Sequence, residues 1–229
     1  MRTPFRAVLA SLAVWAVSSV TYAAAVVTYS FTNSTLNATS TAANVTAGAI
    51  TAAPTVNGQQ TTTLTLTQGI YASAPFITAA RANTNESAVR ANDYIFFTLS
   101  ATAGNKLNLS SFTFNVAQGG GNAGEREYDV RTSVDNYALS LSGTSPVLIA
   151  SVRPNFTNVN LNLDKPAFQG LSTITFQIRY FTPGIFQNVD MDDLIVNGTV
   201  VAPEPTSAAA ILIGGVGLLR RRHRRHAPR

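Results

Sequence analysis

Thr173-Ile174-Thr175-Phe176-Gln177-Ile178-Arg179-Tyr180 alternates without a break: large apolar side chains at the even positions, Thr, Gln and Arg at the odd ones. Successive side chains of a strand point to opposite faces, so this stretch predicts a strand with one face in a core and one turned outward. The same period of two recurs on either side. Val159, Leu161 and Leu163 alternate with Asn158, Asn160 and Asn162, and Leu64 and Leu66 alternate with threonines. Residues 94–99 are apolar on both faces and predict a central strand, with Tyr94 and Tyr180 in the core. Further strands are expected at 26–31, 127–134, 147–152 and 194–200. One irregularity is informative: Leu107 and Leu109 share a parity that Phe112, Phe114 and Val116 reverse. A one-residue slip flips every side chain, so a β-bulge or a break at Ser110-Ser111 is expected to restore the inward face.

Turn dipeptides separate these runs at Asn57-Gly58, Gly119-Gly120-Gly121, Ser142-Gly143 and Pro183-Gly184. Residues 38–60 hold few large apolar groups and read as a long loop. No stretch shows a convincing helical period. Many short strands at this spacing predict an all-β fold, an antiparallel β-sandwich most simply built as a jelly roll.

The formal net charge of +5 and pI near 9.9 invite a nucleic-acid reading, which the placement of the charges removes. Arg2 and Arg6 open the chain, and Arg220, Arg221, Arg222, Arg224, Arg225 and Arg229 close it. Between Ala24 and Ala202, eight bases face ten acids, a net of about −2, whereas a nucleic-acid binder carries its basic face on the folded part. There is no cysteine, so stability must come from a core rather than from disulfides.

Both ends read as signals. Arg2 and Arg6 precede an apolar run over residues 7–20, followed by small residues at Ala23, Ala24 and Ala25. This is the pattern of a secretory signal helix cleaved by signal peptidase after Thr21-Tyr22-Ala23, and it assigns residues 1–23 to the signal. The general secretory route follows, because there is no twin-arginine pair. At the other end Pro203-Glu204-Pro205 leads into an apolar stretch from Ser207 to Leu219, then the arginine block. As a helix that stretch rises only about 20 Å, enough for a short transmembrane helix in a thinned bilayer. The arginines would hold its end on the cytoplasmic side.

This order of elements resembles the PEP-CTERM sorting signal. The resemblance covers 203–229 and leaves 24–202 as the delivered ectodomain. It implies recognition by an exosortase, a membrane transpeptidase that cuts near the Pro-Glu-Pro element, and release to an exopolysaccharide-rich envelope or extracellular matrix. The stretch from Glu127 to Tyr137 (Glu-Tyr-Asp-Val-Arg-Thr-Ser-Val-Asp-Asn-Tyr) is similar to a strand and turn of many PEP-CTERM ectodomains. The stretch from Met191 to Thr199 is similar to their closing strand. Those ectodomains look like jelly-roll sandwiches of the kind carbohydrate-binding modules use.

Absences narrow the chemistry. Both histidines, His223 and His226, lie in the basic tail, so a Ser-His-Asp triad and a His- or Cys-ligated metal have no residues in the ectodomain. Glu125 and Glu127, two apart on a strand, would share a face about 7 Å from one another, a spacing suited to a glycosidase pair. The plainer reading is a solvated strand edge with Arg126 and Arg131 as partners. Asp190 and Asp192 share a face and are candidate oxygen ligands for a structural calcium, with Asp193 facing the other way. The only tryptophan, Trp15, belongs to the signal, which leaves Tyr71, Tyr94, Tyr128, Tyr137 and Tyr180 as stacking surfaces for a sugar. The expected function is that of a non-catalytic envelope or matrix protein, alternatively a carbohydrate-binding or adhesion module, and less readily a carboxylate hydrolase.

Overall fold

The computed structural model describes residues 23–32, 34–53, 62–67, 76–81, 94–121, 124–143, 145–182 and 187–202. The expected signal helix and the tail from Pro203 onward lie outside them, as do Trp15, Tyr71 and the Asn57-Gly58 and Pro183-Gly184 turns. Among the described residues no helix is long and apolar enough to cross a membrane.

Among the described residues thirteen strands pair into two antiparallel sheets. They are β1 (Ala24–Tyr29), β2 (Ser40–Thr41), β3 (Val45–Ala47), β4 (Thr51–Ala52), β5 (Thr62–Thr67), β6 (Phe76–Arg81), β7 (Tyr94–Ala101), β8 (Lys106–Gly120), β9 (Glu127–Thr132), β10 (Val147–Leu148), β11 (Thr157–Asn162), β12 (Thr173–Phe181) and β13 (Gln187–Val201). The first sheet runs β11-β8-β13 and then forks. Residues 188–191 of β13 pair with β6, which carries β5 outward, and residues 194–198 pair with β1, which carries β2. The second sheet runs β10-β9-β12-β7, and the far edge of β7 is shared by β3 and β4.

The opening stretch is β12, central between β9 and β7, and its even positions are buried as the alternation requires. Phe176 stacks on Phe97 of β7 at 5.1 Å, and Phe112 of β8 meets both rings from the opposing sheet at 5.1 and 5.7 Å. Aromatic rings thus join the two layers of a β-sandwich at its centre.

Of the two expected causes of the parity break, the structure has the bulge. Asn197 faces Ser111 while Gly198 faces Leu109, so Ser110 is the extra residue, and Leu107, Leu109, Phe112 and Phe114 all reach the core. A second bulge in β13 carries a parity break of the same kind, blurred because Ile195 keeps the parity of Val189 and Met191. Asp192 faces Asn115 and Ile195 faces Thr113, and Asp193 takes φ +49°. The inward set therefore switches from Val189 and Met191 to Leu194 and Val196.

Three expectations need correction. Residues 38–60 are not simply a loop, because β2, β3 and β4 lie within them as strands too short to show a period. The strand expected over 147–152 ends at Leu148, after which the chain crosses toward β8 through a single bridge between Val152 and Gln118. Tyr94 is half-buried on the outward face of β7, whereas Tyr180 is in the core as expected.

Candidate functional site

The outward face of the second sheet brings Asp129, Arg131 and Arg179 beside the half-buried rings of Tyr94 and Phe96. Inward burial of Ile95, Phe97, Ile178 and Val130 leaves their neighbours facing out. Register then aligns them in rows. Asp129, Arg179 and Tyr94 form one row across β9, β12 and β7, and Arg131, Gln177 and Phe96 form the next. Farther along, Thr98 meets Thr175 at 2.8 Å and Ser100 meets Thr173 at 2.9 Å, a ladder of hydroxyls.

The charged end is held from above. Asn136 and Tyr137, at φ +56° and +61°, turn the chain sharply after β9. The Arg131 guanidinium donates to the Tyr137 and Ala138 carbonyls at 3.0 and 2.7 Å and pairs with Asp129 at 2.6 Å. Burial opposes ionisation of Asp129. Hydrogen bonds from Ser140, Arg131 and Ser145, with the Arg131 charge, outweigh that and hold its carboxyl below the ordinary value. Arg179 donates to Gln177 Oε1 at 3.3 Å. Its guanidinium is pushed down by burial and then by the like charge of Arg131, with Asp129 and Tyr94 acting in the other direction. Tyr94 packs against Phe96 at 5.9 Å, and its phenol is pushed up by burial and by Tyr137. Ring faces, a guanidinium and an amide within two adjacent rows can stack on an apolar ring face and hydrogen-bond neighbouring hydroxyls.

A second charged cluster is internal. Asp190 points outward from β13 yet is fully buried, with Thr78 donating to Oδ1 at 2.9 Å and Arg153 Nη1 at 3.1 Å from Oδ2. A Cβ on Gly119 would sit 2.1 Å from that Oδ2, so the carboxylate occupies the space a side chain would need. Arg126, only 3 % exposed, donates to the carbonyls of Gly119, Gly121 and Gly124 and to Gln118 Oε1. It staples the triple-glycine segment.

The residues expected from sequence fall as follows. Asp190 and Asp192 do share the outward face, but Asp190 is engaged by Thr78 and Arg153. Asp193 is corrected: the bulge turns it to the same side, where Asn115 Nδ2 reaches its carboxylate at 3.3 Å. Among the described residues no group of three or more His, Cys, Asp or Glu side chains could hold a metal ion. Glu125 precedes β9 instead of lying in it, while Glu127 opens the strand, its carboxyl pushed up by burial and by Glu125. Neither arginine is their partner, because Arg126 binds carbonyls and Arg131 binds Asp129; β9 is also internal to its sheet, not an edge. Tyr128 and Tyr180 are buried, which leaves Tyr94 and Tyr137 half-exposed. Pro203, Glu204, Pro205, the segment from Ser207 to Leu219 and the arginine block lie outside the described residues.

The Arg179–Tyr94–Phe96 grouping was not singled out from sequence. Its signal was present: the outward positions of the opening stretch change from Thr173 and Thr175 to Gln177 and Arg179, and the two outward positions of β7 beside them are aromatic.

No protein-family model and no curated protein sequence matches the chain. Among solved structures, it is similar to the K3 cleaved adhesin domain of Lys-gingipain from Porphyromonas gingivalis, at 16% identity and TM-score 0.42, over 77% of this chain and 99% of that one. It is also similar to a xylan-binding domain from Paenibacillus barcinonensis, at 11% identity and TM-score 0.41, over 77% and 95% of the two chains. A family 11 carbohydrate-binding module from Clostridium thermocellum aligns at 9% identity and TM-score 0.34, over 72% and 94%. Likenesses at this level carry no weight for function.

Proposed function

We propose that the sandwich is a non-catalytic glycan-binding or adhesion module of jelly-roll type, and that the outward face of its second sheet is the contact surface. The observation that carries this reading is the pairing of the Tyr94–Phe96 rings with Arg179 and Gln177 in adjacent rows of one sheet. A pyranose offers the complementary chemistry, an apolar ring face edged by hydroxyls. Delivery is proposed to follow the two signals: export through the secretory route, then exosortase processing at the Pro203-Glu204-Pro205 tail into an exopolysaccharide-rich envelope.

The test is titration calorimetry of the processed protein against soluble envelope polysaccharides. Binding that Tyr94→Ala and Arg179→Ala each weaken by about tenfold or more, at unchanged melting temperature, is the expected result. Clean negatives across those polysaccharides would remove the glycan reading. Intact mass of the protein from its host tests delivery separately, and a mass retaining residues 207–229 would overturn processing. The carboxylate-hydrolase reading requires Glu125 or Glu127, so turnover that survives alanine at both positions would discard it.

A further inference from the structure

β11 is the terminal strand of the first sheet, and no other strand among the described residues pairs with its outer edge. Sheet edges of this kind are ordinarily blunted by lysine, proline or a bulge, because a bare edge templates further pairing. Thr157-Asn158-Val159-Asn160-Leu161-Asn162 has none of the three. Its hydrogen-bonding phase is fixed. The Leu163 N–H donates to the Ser110 carbonyl, and Asn162 faces Ser111, so odd-numbered residues aim their backbone groups at β8. Asn158, Asn160 and Asn162 therefore aim theirs at the open edge.

The sequence of that edge is nearly its own mirror: Asn-Val-Asn-Leu-Asn, centred on Asn160. Placed antiparallel against a second copy with Asn160 on the two-fold axis, Asn160 faces Asn160 and Asn158 faces Asn162. All three pairs are in the hydrogen-bonding phase, each exchanging two backbone bonds. Val159 then lies opposite Leu161, and both are buried inward-facing residues that continue the core layer of the sheet. The charges beyond the strand do not collide, because Asp164 meets Phe156 and Lys165 meets Asn155.

A second feature lies on the same side of the molecule. Only four large apolar residues among those described are exposed, and two of them, Leu148 at 55 % and Val152 at 56 %, flank this edge. Leu148 shares a cavity of about 210 Å³ with Thr157, Asn158 and Val159, which opens between the edge strands β10 and β11. Edge pairing brings a partner over this cavity and removes apolar surface from water.

We infer that the chain associates with a second copy of itself through β11, joining two sandwiches into one continuous sheet about a two-fold axis. The inference is independent of the glycan reading, since it uses the β11 edge and neither Tyr94 nor Arg179.

The experiment is sedimentation equilibrium of the full chain in detergent above its micellar concentration, so that the apolar 207–219 segment is shielded. The wild type should dimerise. Asn160→Lys and Asn160→Asp each place like charges opposite one another and should weaken association by about tenfold or more. An equimolar mixture of the two variants should return to dimer, which also shows that both are folded. A monomeric wild type, association unmoved by either substitution, or a mixture that stays monomeric would each overturn the inference.

Discussion

Gly119→Ala should be destabilising for a reason that a second substitution can remove. Gly119 lies within β8 in ordinary extended backbone, so its conformation alone would accept alanine, and a Gly→Ala change there would by itself add a few tenths of a kcal/mol. The obstacle is Asp190, whose Oδ2 would lie 2.1 Å from the new methyl group. That carboxylate cannot retreat cheaply. It is fully buried, bonded to Thr78 at 2.9 Å and 3.1 Å from Arg153, and moving it breaks a buried ion pair at a cost of about 3 kcal/mol or more. For a domain of this size that is a fall in melting temperature of about 6–12 °C. Asp190→Ala alone should cost a similar amount, because it strands the same partners. In that background Gly119→Ala meets no carboxylate, and its own cost should drop below about 1 kcal/mol, leaving a coupling of about 2 kcal/mol or more. Urea unfolding of the four proteins in the cycle measures this. If the two costs simply add, Asp190 is not what excludes a side chain at Gly119, and the reasoning fails.

Asp192 makes a pH-dependent contribution. Burial, then Asp193, raises its carboxyl from 3.8 to about 6. An acid whose folded pKa exceeds its unfolded value favours the fold below the unfolded pKa and loses that advantage as pH rises through the folded one. Stability should therefore decline between about pH 4 and 6, and Asp192→Asn should flatten the slope, stabilising at pH 7 by about 1–2 kcal/mol after allowing for its partial exposure. An unchanged slope in urea titrations would refute this. Deleting Ser110 removes the extra residue of the bulge and brings Leu107 and Leu109 into unbroken alternation with Phe112 and Phe114, so the inward face should survive and a cooperative unfolding transition should remain by circular dichroism; its loss would refute the bulge assignment. Gly198→Ala drives a Cβ to 2.3 Å from the Asn108 carbonyl, which is backbone and cannot swing aside, so a loss of about 2 kcal/mol or more is expected in denaturant unfolding. Arg126→Met leaves the Gly119, Gly121 and Gly124 carbonyls without their donor and should cost about 2–4 kcal/mol, with faster protease cleavage near residue 121 as a second readout.

The strands legible in the sequence are those whose two faces meet different solvents. β12 and β11 show their period because one side of each is apolar core and the other is polar, and the bulge at Ser110 is legible because it breaks that period. Where no such contrast exists the sequence is silent. β2, β3 and β4 are two or three residues long, too short for a period of two to repeat, and they exist because β1 and β7 offer them an edge. The bulge at Asp193 is less clearly marked, since Ile195 keeps the parity of Val189 and Met191 that Leu194 and Val196 reverse, and only the register against Asn115 and Thr113 shows which way the second carboxylate turns. The candidate surface divides in the same way. Alternation alone places Gln177 and Arg179 outward. That they stand beside Tyr94 and Phe96, that Asp129 is buried under the turn after β9, and that Asp190 belongs with Arg153 all depend on which strands are neighbours. Strand order is set by packing between residues far apart in the chain, and no local pattern encodes it.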